Sequence, residues 1–231
     1  MVAVEELGGM PDARRRKTQQ ERTAATTESL LRATIELLHD RGFHRMSTVE
    51  IAERAGVSRG ALSHHFASKD EIVVAAIRHQ LRASTARLHA MARTIREDGG
   101  STDTIVDFIW SLMTDRLYYV TMEYMPEARH NASFKSQVVV VVKEFHEGLD
   151  TVWAELAGQI GADVERASTV MNATMCTIRG MIAQTTLKDD PAYFAALLDY
   201  CKRQVARELR HVTPAEAPAA LPRRRRAGGR S

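Results

Sequence analysis

The sequence predicts an all-α fold, and three observations carry that prediction. Apolar residues make up 44% of the 231 positions but aromatic residues only 6%, with ten methionines; Ala, Met and Leu are common among them, and these side chains favour helix. No apolar–polar alternation of period two runs for long, whereas spacings of three and four recur along the chain. Helix-start signatures are frequent: Ser47 with Glu50, Ser68 with Glu71, and Asp190 followed by Pro191. The one strand-like run is Val138–Val142, and it reads as helix because the helical period continues through Lys143 and Glu144.

Taken in order, residues 1–20 hold Gly8, Gly9, Pro11 and the basic run Arg14–Lys17 and read as a disordered arm. A first helix is expected over about 27–41, with Leu31, Ile35 and Leu38 on one face and a stop at Gly42. Two short helices follow at 48–55 and 59–65, then a long one from Lys69 to about Arg96. Asp98-Gly99-Gly100-Ser101 is the clearest internal break. Helices are expected over about 102–114 and 116–128, the latter bent or ended by Pro126. Three more follow: about 133–159, about 164–186 after a Gly161-Ala162-Asp163 cap, and Pro191 to about His211. Residues 212–231, with Arg223–Arg226, read as a disordered tail.

The segment Ser47–Phe66 is the most informative. Ser47 and Glu50 form a capping box, and Ile51, Ala52 and Ala55 face inward. Gly56 suits the left-handed position that ends a helix, and Ser58 opens the next, anchored by Leu62 and Phe66. On its own this is either a helical hairpin in a core or a helix-turn-helix, whose second helix enters a DNA major groove. The flanks favour the second reading. Gly42-Phe43, Ser47–Ala52, Ala55–Ser58, Gly60–Leu62, His65-Phe66 and Lys69 stand in the order and spacing of one known pattern. From about Glu21 to Ile77 the chain resembles the TetR family of bacterial transcription regulators. Ser63 departs from the pattern: the family usually has a tyrosine there.

The resemblance implies a DNA-binding domain over 21–80, with three helices, and a larger helical domain over 81–211 for ligand binding and dimerisation, about nine helices in all. Candidate DNA-binding residues are Ser47, Thr48, Ser58, Arg59, Gly60, Ala61, Ser63, His64 and Lys69. Thr48 starts a helix, where hydroxyl and free amides can hold phosphate. Arg59 has two readings, a bidentate bond to guanine or a phosphate contact. Lys69 matches the family's phosphate-contacting lysine. His65 reads as a packing residue beside Phe66. The basic arm and the Arg-rich tail could also lie along DNA, or be solvated runs.

Residues 102–160 are rich in Met and aromatics, a helical core by default. The resemblance implies a mostly apolar effector cavity, with candidates Trp110, Met113, Tyr118, Met122, Phe145, His146, Trp153, Met175 and Arg179. It also implies a dimer interface on the last two helices. Its candidates are Val170, Thr174, Ile178 and Met181 on one stripe, and Phe194, Leu198, Cys201 and Val205 on the other. Intramolecular packing would use the same stripes; under the dimer reading a charge at Leu198 separates the protomers. Expected partners are thus a palindromic DNA operator, a second copy and a small-molecule effector. A regulator controlled by a protein partner, or by no ligand, is the alternative.

Charge and composition exclude other classes. The net charge is +3, but residues 1–20 carry +1 and 211–231 carry +4, leaving −2 on the body; any DNA affinity must therefore be local. Two cysteines, Cys176 and Cys201, make neither a disulfide framework nor a metal site. Glu36 and His39 have the spacing of a metal-binding helix pair, but no second copy exists. No nucleophile triad and no Gly-rich phosphate loop is visible, so no enzyme, metal or cofactor is expected. Without a leader or an 18-residue apolar run, the expected location is the cytoplasm, with no membrane partner.

Overall fold

Thr18 opens the first helix. Its hydroxyl accepts from the Glu21 amide at 3.2 Å, and its own amide donates to the Glu21 carboxylate at 2.7 Å, a complete capping box. The computed structural model describes residues 18–209; the basic arm at Arg14–Lys17 and the tail at Arg223–Arg226 lie outside them. Among the described residues there are nine α-helices and no strand: α1 Gln19–Arg45, α2 Thr48–Ala55, α3 Arg59–His65, α4 Lys69–Asp98, α5 Thr102–Leu112, α6 Tyr118–His130, α7 Ala132–Ile160, α8 Val164–Thr185 and α9 Pro191–Leu209. A π-helical turn, Met113–Leu117, joins α5 to α6.

Three expected boundaries change. α1 starts at Gln19 rather than near 27, and so includes two residues assigned to the arm. Its first two turns are exposed on nearly every side, so they carry no apolar period, and the cap at Thr18 sets the start instead. Of the two alternatives for Pro126, a bend or an end, the end is overturned: α6 continues through it to His130. It lies on the exposed side of the helix, where a carbonyl left without its amide donor is open to solvent. The break expected near 114–116 is the π turn. There the Thr114 hydroxyl donates to the Trp110 carbonyl at 2.9 Å, competing with the backbone ladder.

The described chain divides into two units. The first takes residues up to His79 together with Glu123–Val138. Leu30, Ile35, Leu38, Phe43, Ile51, Leu62, Ile72 and Phe134 are all buried in it. The Phe43 and Phe134 rings lie 5.2 Å apart. The second unit takes Gln80–Met122 and the residues from Val139 onward. There α5, α8 and α9 pack on one another, with Ile105, Ile109, Ile178 and Val205 buried. Trp153, fully buried, donates from its indole to Asn172 at 3.3 Å. Residues 123–138, which sequence reading gives to the larger domain, thus group with the helix-turn-helix. No helix among the described residues is long and apolar enough to cross a membrane.

Candidate functional site

α2 is held at both ends by the local signals in its sequence. The Glu50 amide donates to the Ser47 hydroxyl oxygen at 3.3 Å, and the Ser47 amide and hydroxyl both reach the Glu50 carboxylate at 2.9 Å. These bonds, the hydroxyl first, hold the Glu50 carboxyl below its ordinary range. Arg41 pairs with its other oxygen. Ser47 is therefore a cap whose hydroxyl proton points at Glu50. Among the described residues, the amides of Thr48 and Val49 are left as free first-turn donors. Gly56 ends α2 at φ +69°, and the Val57 amide closes back on the Ala52 carbonyl at 3.0 Å.

α3 follows after a single turn. Ser58 caps it, accepting from the Ala61 amide at 3.1 Å. Leu62 is buried and fixes the inward face. Arg59, Gly60, Ser63 and His64 are exposed together on the opposite face, with Ala61 half-buried at its edge. Among the described residues Arg59 forms no ion pair. A cation at a helix N-terminus opposes the helix dipole, and breaking a local rule without a compensating partner is a mark of a functional position. His65 is half-buried, its Nδ1 lying 3.4 Å from the Thr27 hydroxyl, in the packing role expected of it.

Lys69 has a more enclosed setting than a plain phosphate ligand. Its ammonium sits 4.4 Å from the centroid of the Phe43 ring. Burial pushes its pKa down, opposed by Asp70, Glu127 and Glu50. Around it lies a cluster that local sequence signals do not indicate. Asn131 donates to Glu127 at 2.8 Å and to Asp70 at 3.5 Å, and accepts from the Phe134 amide at 3.0 Å. His44 lies 3.6 Å from Glu127. The Asn131 cap is legible in sequence, but its bond to Asp70 is not. Arg45, exposed two residues before Ser47, is a further cation beside α2 that the sequence reading does not single out. Glu36 and His39, the metal-like spacing, are engaged by Arg54 at 3.5 Å and Asp40 at 3.0 Å respectively.

The effector candidates divide by burial. Met113, Tyr118, Phe145, Trp153 and Met175 are buried in the second unit, and Trp110 and Arg179 are half-buried. Burial raises the Tyr118 phenol pKa. Two candidates need correction. Met122 is 43% exposed, and His146 is exposed with Nδ1 2.9 Å from its own helix's Val142 carbonyl. Both stand on outward faces of their helices and line no interior. One groove of about 430 Å³ includes Trp110, together with Phe194, Leu198 and the α8–α9 connection.

The dimer stripes need correction too. Thr174, Ile178, Met181, Phe194, Cys201 and Val205 are buried within the single chain, and Val170 and Leu198 are half-buried. They are used in packing α8 and α9 on each other and on α5, the intramolecular use left open by the sequence. The outward faces are different. α8 exposes Ala173, Cys176, Thr177 and Gly180, and α9 exposes Tyr193 and Tyr200.

Comparison with known proteins agrees with this geometry. The family model described as bacterial regulatory proteins, tetR family, matches residues 30–76. The chain is 30% identical over 141 residues to the HTH-type transcriptional regulator BetI of Escherichia coli (strain SMS-3-5 / SECEC), spanning 56% of this chain and 72% of that protein. It is 21% identical over 180 residues to the HTH-type transcriptional regulator CymR of Pseudomonas putida, covering 78% and 89% of the two chains. Among solved structures, that of the multidrug binding protein EbrR complexed with ethidium superposes with a TM-score of 0.57 at 19% identity, over 80% of this chain and 98% of that one.

Proposed function

The chain belongs to the tetR family of bacterial regulatory proteins and is a DNA-binding transcriptional regulator; from that premise we propose that it is a dimeric repressor released from a palindromic operator by a small, mostly apolar effector. The observation that carries the reading is the exposed face of α3, with Arg59, Gly60, Ser63 and His64 presented together behind two capped turns. Arg59 leads into the major groove and bonds base edges, and Gly60 lets the backbone come close. The free amides at the start of α2 take a phosphate. Ser63, standing where the family usually has a tyrosine, supplies a short hydroxyl contact to phosphate. Two such heads, about 34 Å apart, read both halves of a palindrome. The DNA partner sets the place of action, the bacterial cytoplasm.

Control is a coupling between the two units. α4 is one continuous helix, with Lys69 at its start and residues to Asp98 at its end. An effector that favours the form with mismatched heads need contribute only about 1–3 kcal/mol of coupling to lower operator affinity roughly 5–150-fold. By linkage, operator DNA must weaken effector binding by the same factor.

Selection of bound fragments from genomic DNA at moderate salt tests the reading: a shared palindrome is expected. Retention of DNA without a common sequence would refute a specific regulator of this design. On the selected operator, Arg59→Ala is expected to cost about 1–3 kcal/mol and to relax preference at one position in each half-site. The check is fluorescence anisotropy against operators mutated one base pair at a time. A uniform loss across all sequences would make Arg59 a phosphate contact instead.

A further inference from the structure

The groove beside Trp110 has a specific chemistry. Trp110 of α5 forms one wall and Phe194, Ala195 and Leu198 of α9 another, closed at one end by the α8–α9 connection. Its volume of about 430 Å³ is that of a site for a small molecule. The charges on the rim are not equivalent. Lys188 is already engaged, its ammonium 4.3 Å from the Tyr193 ring centroid and 3.3 Å from the Asp190 carboxylate. Asp190 is engaged as well, because its other oxygen caps α9 by accepting from the Tyr193 amide at 3.0 Å. Asp189 also lines the groove, is exposed, and forms no ion pair or hydrogen bond among the described residues.

We propose that this groove binds a small organic cation, its apolar body between Trp110, Phe194 and Leu198 and its positive charge at Asp189. An indole face attracts a cation through the ring quadrupole, and a carboxylate at the mouth adds a directed charge. An anion would meet the uncompensated Asp189 instead. The groove stays accessible in a dimer built on the outward face of α9. On a helical wheel Ala195 and Leu198 lie on the side of α9 largely opposite Tyr193 and Tyr200, with Phe194 between the two sides, its ring centroid 5.2 Å from that of Tyr193. The inference rests on the reading of the second unit as the effector-binding part, and names the class of effector and where it sits.

The test uses N-methylquinolinium and its neutral isostere methylnaphthalene, with naphthoate as the anion, titrated into the full-length protein by calorimetry. The cation is expected to bind saturably and about tenfold more tightly than either of the others. Asp189→Asn should weaken the cation about tenfold and leave the neutral probe unchanged. Trp110→Leu should weaken both, and Asp103→Asn, on the neighbouring groove, should change neither. Cation binding that is absent, that naphthoate equals, or that neither Asp189→Asn nor Trp110→Leu weakens would overturn the site. Operator anisotropy with the same cation separates the two readings. Operator release that is equal in wild type and Asp189→Asn refutes the groove and leaves effector control standing. Asp189-dependent binding with unchanged operator affinity supports the groove and refutes effector control through it.

Discussion

Gly42→Val is expected to cost about 2–4 kcal/mol of stability and, through it, operator binding. Gly42 has φ +76° and ψ 166°, a region that essentially only glycine occupies. Any side chain there carries strain of about 1–3 kcal/mol, and a β-branched one stands at the upper end. A second cost adds to it. Gly42 is buried, and a β-carbon built on it runs into the carboxylate of Glu123. That carboxylate is the end of a flexible side chain and can swing away, so the backbone cost should dominate. The double variant Gly42→Ala, Glu123→Ala discriminates: it should recover only a minor part of the loss seen in Gly42→Ala alone. Urea unfolding of the three variants is the measurement. A midpoint for Gly42→Val equal to that of the wild type would refute the requirement for glycine. The position matters because the turn at Gly42 delivers Phe43, whose ring packs on Phe134 and lies under the Lys69 ammonium. Losing the turn therefore disturbs the start of α4 along with the end of α1.

This turn also shows which parts of the structure are legible in the sequence. Its place is plain from Arg41-Gly42-Phe43, as are the cap at Ser47, the left-handed Gly56 and the Asp190-Pro191 start of α9. Each of these is a short-range signal, complete within four residues, and the geometry follows the residue types directly. The face of α3 follows in the same way, since Leu62, with Phe66 just beyond the helix, anchors one side and Arg59, Gly60, Ser63 and His64 then turn outward. What lies beyond reach is partnership. An apolar stripe states that a helix face is buried but not against what. Thr174, Ile178, Phe194 and Val205 satisfy an intramolecular core as well as they would a second chain, and the structure places them in the core. Met122 stands at helical spacing from Tyr118 and His146 has the chemical type of a polar ligand contact, but neither signal fixes which side of the helix is buried. The grouping of Glu123–Val138 with the helix-turn-helix depends on contacts such as Asn131 with Asp70, 61 residues apart, for which no local pattern exists. Polar exposed turns hide in the same way: the first two turns of α1 are helical because Thr18 caps them, and no apolar period marks them.

Relocating the stripes changes where the dimer should break. If two copies meet through α8 and α9, they must use the outward faces, and those faces suit each other. Ala173, Thr177 and Gly180 are small and permit close approach, while Tyr193 and Tyr200, 39% and 54% exposed, supply large rigid contact area. Tyr200→Glu and Gly180→Arg are therefore expected to yield folded monomers by sedimentation. Operator affinity should fall about 10²–10⁴-fold, because the second head is no longer held at high effective concentration near its half-site. Leu198→Asp should behave differently. Leu198 is half-buried against the groove at α5, so a carboxylate there is pressed into the protomer's own packing, and the expected result is a lower melting temperature. The contrast decides between the two surfaces. If Leu198→Asp gives a stable monomer while Tyr200→Glu remains a dimer with full operator affinity, the outward-face interface is wrong and the buried stripe must rearrange on association. If Tyr200→Glu alone separates the protomers, the stripe is core, and the two tyrosines on the far side of α9 hold the reading heads in register.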